Sequence, residues 1–410
     1  MINYPLYFMI KLKNIWRIVV LGVVAILLLF TSVDFVKNIF EEYPSKNTLT
    51  QTNISEINPI SQGEIPFIPF SLPPEYTVHV FAKNLGHPRT LLFTPEGTLL
   101  VSNPTNNTVI ALPDRNNDGV ADENKTIITS ENHVHGLAMY NGELFVANVD
   151  SVVKYGWDEE RVIATRGPVL FSLSQNNNHN NRSIAFNKEG RMFISLGSTC
   201  NVCNETPTKG GSVLESDFSG KTPTVFATGL RNAAFLAVNP VSDELWATEM
   251  GRDNLGDNTP PDEVNIVKAT NNYGWPKCYG NKIHDTNFDK SKNNPCSSTI
   301  APIFEIPAHS APLGLVFINS PQFPDLWQGD LLVALHGSWN RSTAIGYKVV
   351  HLTVEGNTIT ASDDFMTGFN PGIFKDTSLA RPVGLAFDKK GNLFISDDKK
   401  GDVYIIQKKK

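Results

Sequence analysis

Charge is scarce in this 410-residue chain. Charged residues make up 19%, and Lys and Arg together number 35 against 41 Asp and Glu, for a net charge of −6. A usual globular chain carries about a quarter. With no basic stripe to neutralise phosphates, a nucleic-acid partner is excluded, and the terminal Lys408-Lys409-Lys410 is too short to alter that. Cysteine is also sparse, at four residues. Cys200 and Cys203 form C-x-x-C, but Asn204 stands where haem attachment needs a His. Zinc lacks a second C-x-x-C, because Cys278 and Cys296 are wrongly spaced. Disulfides or free thiols remain, with Cys278 and Cys296 placed to close one surface loop.

Long apolar runs are missing except for Ile18–Phe30, which follows Lys11, Lys13 and Arg17. A basic flank before an apolar run marks a targeting segment. The run suits a signal-peptide core and, extended to Val33, barely reaches spanning length. No small-x-small cleavage site follows Phe30, so residues 1–33 are read as an uncleaved anchor helix. The basic flank then stays inside and the rest is extracytoplasmic. Residues 34–62 are polar without a sustained period and read as a tether.

What is plentiful is Gly (29), Pro (26) and Phe (24), a composition that favours turn-rich β structure. From residue 63 to 410 one pattern recurs: an apolar strand, a turn with Gly or Asp, and a second strand ending in small polar residues. The copies begin at Thr90, Gly136, Ser183, Phe235, Gly314 and Gly384. Their turn residues Gly97, Gly142, Gly190, Asp243, Gly329 and Gly391 lie about 45–60 residues apart, save one gap stretched by an insertion between 251 and 310. Six such copies predict an all-β, six-bladed propeller. Tyr76–Ala82 and Val403–Gln407 are expected to pair and complete the last blade. Loops then converge at one end of the channel, so polar residues flanking the strands are the site candidates.

His179, in an Asn-rich loop before the third copy, is the candidate general base, because imidazole takes a proton near neutral pH. Arg231, Arg341 and Arg381 flank three strand pairs and suit a polyanionic ligand through guanidinium forks. The stretch from Gly229 to Pro276 ends in a loop crowded with oxygen donors, the type of ligand a hard cation takes. Gly251 and Arg252 offer backbone carbonyls there, and Glu263 with the carbonyl near Tyr273 offers a second cation site. Asp114, Asn116, Asp118 and Asp122 match the first half of a calcium loop, although Lys125 replaces its bidentate Glu. An ordinary Asp-Gly turn is the alternative there.

These residues resemble the soluble pyrroloquinoline-quinone (PQQ) sugar dehydrogenases, in their sorbosone dehydrogenase-like and aldose dehydrogenase branch. The resemblance covers about residues 73–407. It is carried by His179-x-x-Arg182, Gly229-Leu-Arg-Asn232, Asp262-Glu-Val-Asn265, Asn272-Tyr-Gly-Trp-Pro276, His336-Gly-Ser-Trp-Asn-Arg341 and Arg381-Pro-Val-Gly384. It implies PQQ and Ca2+ as cofactors and a sugar or sugar aldehyde as substrate, with an electron acceptor the residues do not specify. Calcium would be held by the carbonyls of Gly251 and Arg252, with a second ion at Glu263 and Tyr273. Arg231, Asn232, Arg381, and Arg341 or Lys348 would contact the quinone. His179 would remove the substrate proton while Arg231 steadies developing charge. Departures from the glucose-oxidising branch are Ser198 in place of a carboxylate nineteen residues after the base, Asn178 before it, and His133 and His135 in place of Gln-Asn. A calcium-dependent lactonase-type propeller and a non-enzymatic binding propeller are the rival readings.

Overall fold

A computed structural model describes residues 64–409, apart from 130, 175–177 and 207. The expected anchor (1–33) and tether (34–62) lie outside the described residues. No helix among the described residues is long and apolar enough to cross a membrane.

Short β-branched and aromatic runs such as Thr108–Leu112 (TVIAL) make the strands, and turns opened by residues at positive φ separate them. Six four-stranded antiparallel sheets result, with a small hairpin, Cys278–Tyr279 and Ile283–His284, beside them. The inner strands are Leu91–Phe93, Gly136–Tyr140, Ile184–Phe186, Ala233–Val238, Pro312–Phe317 and Pro382–Phe387. Each packs on the next and the last on the first, so the ring closes. This is the six-bladed propeller the repeats predict. All six turn residues singled out by the repeat adopt positive φ, Asp243 (φ 61°) among five glycines. The last blade closes as expected: Tyr76–Ala82 pairs antiparallel with Asp402–Lys408, with Val80 opposite Tyr404.

The buried apolar residues form six clusters, one between each pair of adjacent blades. Leu332 and Val349 of blade 5 meet Leu385 and Tyr404 of blade 6, for example. A single blade therefore has no core of its own. Near the channel the blades approach too closely for side chains: a Cβ on Gly384 of blade 6 would overlap the Arg89 carbonyl of blade 1. Gly384→Ala is expected to cost about 1–3 kcal/mol through overpacking, read as a lower urea midpoint. An unchanged midpoint would show that the two blades can move apart there.

Blade 4 carries the insertion. Its strands Leu245–Glu249 and Asp262–Val267 are joined by the 250–261 loop, and Asp262–Val267 is followed by a segment closed by the Cys278–Cys296 disulfide. Cys200 and Cys203 form the second disulfide, and no cysteine is free.

Candidate active site

The end of the ring at which the inner strands begin holds a cavity of about 310 Å³ lined by residues including His179, Arg231, Asn232, Gly251, Asp262 and Trp339. A larger hollow of about 920 Å³ beside the Lys390–Asn392 turn lies where the inner strands finish and contains none of the candidate catalytic groups.

His179 enters this cavity from the loop leading into blade 3. Arg182, fully buried, anchors that loop by donating from Nη1 to the carbonyls of His179 (2.8 Å) and Asn181 (3.1 Å). His179 Nδ1 lies 3.0 Å from both the carbonyl O and the Oγ of Ser198. A carbonyl can only accept, so Nδ1 carries the hydrogen and Nε2 keeps its lone pair. Ser198 Oγ in turn donates to the Cys200 carbonyl at 2.6 Å. Burial, then the neighbouring Arg231 charge, lowers the His179 pKa to about 4. Ser198 thus orients the imidazole, which stays neutral near pH 7.

Arg231 follows Gly229, whose φ of 77° and close approach to Asn272 and Gly274 leave no room for a side chain. All five of its N–H groups are engaged. Nε donates to the Asn201 carbonyl (2.9 Å). Nη1 is shared by the carbonyls of Met250 (3.3 Å) and Gly251 (2.9 Å). Nη2 reaches Asn201 Oδ1 (3.0 Å) and Asp253 Oδ2 (2.9 Å). This guanidinium supplies charge and holds the Gly251 carbonyl in place, rather than offering an open fork. Asn232 is pinned beside it, its amide donating to Glu249 Oε1 at 3.0 Å.

The Gly251 region brings a buried carboxylate against two backbone amides. Asp262 accepts from the amides of Gly251 (3.0 Å) and Ala311 (2.9 Å), and burial raises its pKa to about 7. A buried carboxylate that hard to ionise would be relieved by a divalent ion, and the nearby Gly251 carbonyl is held by Arg231 Nη1. Glu263, Tyr273, Glu249 and Asp285 line a second hole of about 20 Å³ behind it, large enough for one small occupant. Burial, then Glu305, raises Glu263 to about 7, and burial with Glu263 nearby pushes Glu249 well up. The Arg252 side chain turns into this second hole and pairs with Asp285 at 2.7 Å.

Arg381 belongs to an adjoining cavity of about 520 Å³ that shares Trp339 with the first. Its Nε and Nη2 donate to the carbonyls of His336 (3.1 Å) and Gly337 (2.6 Å), while Nη1 carries no such bond among the described residues. His336 is paired with Asp398 (2.8 Å), which also binds Arg89 (2.7 Å).

Two expected cofactor contacts lie elsewhere. Arg341 donates to the carbonyls of Asp257 and Ala308, tying two loops together, while its neighbours Trp339 and Asn340 line the cavity. Lys348 pairs with Asp364 (2.6 Å) on the next strand and lines neither cavity. His133 bonds Asn181 Oδ1 at 3.1 Å, and His135 is buried against Phe235, so neither lines the His179 cavity. In the 114–122 loop, Asp114 accepts from the amides of Asp118 (3.1 Å) and Gly119 (3.1 Å), and Asp118 from Val120 (2.9 Å), the pattern of a tight Asx-type turn. Sequence reading missed Asn201, Asp253, Asp262 as a cavity-lining residue, His309 and Trp339. Asn201, Asp253, His309 and Trp339 arrive on loops and Asp262 at the start of a strand, from several blades and with no shared spacing.

Comparison with known proteins bears on the fold and the family. A PQQ-dependent sugar dehydrogenase of Hypocrea jecorina is 24% identical over 387 residues, 80% of this chain and 87% of that protein. An uncharacterised protein of Borreliella burgdorferi is 30% identical over 288 residues, 66% of this chain and 74% of that one. Among solved structures, the calcium structure of the Trichoderma reesei family AA12 carbohydrate-active enzyme superposes with a TM-score of 0.72 at 21% identity. It covers 85% of this chain and 99% of that one. The holo PQQ domain of pyranose dehydrogenase from Coprinopsis cinerea gives 0.71 at 21% identity, with 84% and 98% covered. At those identities the superpositions establish the six-bladed fold. The family model described as TrAA12-like matches residues 70–409, so the chain belongs to the TrAA12-like family.

Proposed function

We propose that the protein is a PQQ- and calcium-dependent dehydrogenase that oxidises an aldose or related sugar aldehyde. The observation that carries it is a single cavity lined by a neutral, oriented His179, by Arg231 and by Gly251, whose carbonyl Arg231 holds. The sugar dehydrogenases among the relatives support the same reading.

His179 Nε2 accepts the hydroxyl proton of the substrate, and Ser198 holds the ring so that this lone pair points into the cavity. Arg231 keeps a positive charge beside that transfer and fixes the carbonyls of Met250 and Gly251. Gly251 and Arg252 carbonyls, with Asp262 nearby, would hold calcium, and Glu263 with the Tyr273 carbonyl a second ion. Asn232 and Arg381 would bind the quinone's polar edge. When bound, PQQ supplies the two-electron acceptor, with calcium as Lewis acid. Trp339, more than half exposed at the seam of the two cavities, offers an aromatic face to a sugar ring. Asp114, Asn116, Asp118 and Asp122 enter as a structural calcium loop. The ring works outside the cytoplasm on the 1–33 anchor and 34–62 tether, and two disulfides suit that compartment.

The purified protein, given PQQ, Ca2+, a sugar panel and a reducible dye, is expected to bleach the dye only when sugar and quinone are both present. Lactone hydrolysis without quinone would replace this reading with the hydrolase, and no quinone uptake at all would replace it with the binding module.

A further inference from the structure

The four-residue ring closed by Cys200 and Cys203 lies against the two principal residues of the cavity. Its second residue, Asn201, is used on every polar atom of its carbonyl and side chain. The carbonyl O accepts from Arg231 Nε (2.9 Å) and from Trp275 Nε1 (3.4 Å). Oδ1 accepts from Arg231 Nη2 (3.0 Å) and from the Asp253 amide (2.8 Å), and Nδ2 donates to the Asp253 carbonyl (3.2 Å). The residue before it, Cys200, accepts through its carbonyl from Ser198 Oγ, the hydroxyl that faces His179 Nδ1.

We propose that the loop closed by the Cys200–Cys203 cross-link is a positioning element, in which Asn201 sets Arg231 and Asp253 while the Cys200 carbonyl, through Ser198, sets His179. The proposal rests on the function given above. A short polar loop left open would sample many conformations, and ordering it costs entropy each time it must present both acceptors. The cross-link removes most of those conformations in advance. Asn suits the position because one side chain supplies an acceptor for the guanidinium and a donor for the Asp253 carbonyl, so Arg231 and Asp253 are fixed relative to each other. The other disulfide, Cys278–Cys296, is buried in the insertion of blade 4, where Cys296 Sγ lies against the Lys277 carbonyl. Cys200 and Cys203 are half-buried, within reach of a small thiol. Dithiothreitol would pass two electrons and two protons to this cross-link, leaving two cysteine thiols and its own cyclic disulfide.

The test compares the wild-type protein, Asn201→Ala, Asn201→Asp and the double variant Cys200→Ser/Cys203→Ser, each with and without dithiothreitol. Two quantities are read: the PQQ dissociation constant with Ca2+ present, and hydrogen exchange at the Asp253 amide without quinone. Loss of hydrogen bonds to a charged group should weaken quinone binding in Asn201→Ala by about tenfold to a hundredfold. Exchange at Asp253 should quicken, while Tm stays near wild type. Asn201→Asp, which keeps the acceptor for Arg231, should retain most of the affinity. Dithiothreitol should loosen the wild type but change nothing further in the double variant. Wild-type affinity and exchange in both Asn201→Ala and the double variant would overturn the proposal. If the wild type takes up no quinone, the proposed function fails instead, and the Asp253 exchange still decides the role of Asn201.

Discussion

His179→Ala should lower kcat/KM by about 10²–10⁴-fold, the usual worth of a positioned general base, while PQQ uptake stays close to wild type. The reason is geometric. Nδ1 is committed to Ser198, so only Nε2 meets the substrate, and the other imidazole of the cavity, His309, has both ring nitrogens engaged, with the Gly256 carbonyl and with Asn340. The pH dependence follows from burial and from Arg231, which hold the imidazole at about pKa 4. The working form is neutral, so kcat/KM should be flat through pH 6.5 and fall only as pH drops through about 4. Stability follows the same sign. A folded pKa below the unfolded value gives a contribution present above about pH 6.5 and lost as pH falls toward the folded value. A stopped-assay series of wild type and His179→Ala at matched quinone occupancy measures this, and an inflection near 6.5 or a fully active variant would remove His179 from the role.

The second large effect is on the folded state. Arg231→Ala should cost about 3–5 kcal/mol, the range for breaking a buried ion pair from one side. It strips the partner from Asp253 and the nearby charge from Glu249 and Asp262, all in one buried corner. Arg231→Lys should recover little, because an ammonium cannot span the Asn201, Gly251 and Asp253 acceptors together. Urea titration reads the loss directly. A variant that unfolds at the wild-type midpoint would mean the surrounding carboxylates are satisfied without the guanidinium. Arg341→Ala, whose partners are neutral loop carbonyls and the Asn258 amide oxygen rather than a carboxylate, should shift the midpoint far less.

The ring was legible in the sequence because each blade repeats one local problem: a strand, a turn at positive φ and a return strand. Gly97, Gly142, Gly190, Asp243, Gly329 and Gly391 mark that problem directly. The closing pair was legible because Tyr76–Ala82 and Val403–Gln407 are strands left without a local partner. His179, Arg231 and Asn232 were readable from their places at the starts of inner strands. Arg341 and Lys348 share such flanking positions, yet their side chains go to Asp257 and Asp364. Position beside a strand does not say where a long side chain points; the loop's own hydrogen bonds decide that. Asn201 and Asp253 were hidden for the same reason, since their meeting depends on two loops folding against each other.

The closure of blade 6 also bears on how the molecule is made. Its outermost strand, Tyr76–Ala82, is the first of the described strands to leave the ribosome, and its partner, Asp402–Lys408, is the last. Until that final segment emerges, a nascent chain holds five blades with open flanks and a long unpaired edge, the condition under which strands stick to other molecules. Closure therefore waits on the Asp402–Lys408 strand, and a chain lacking that strand forms an arc in place of a ring.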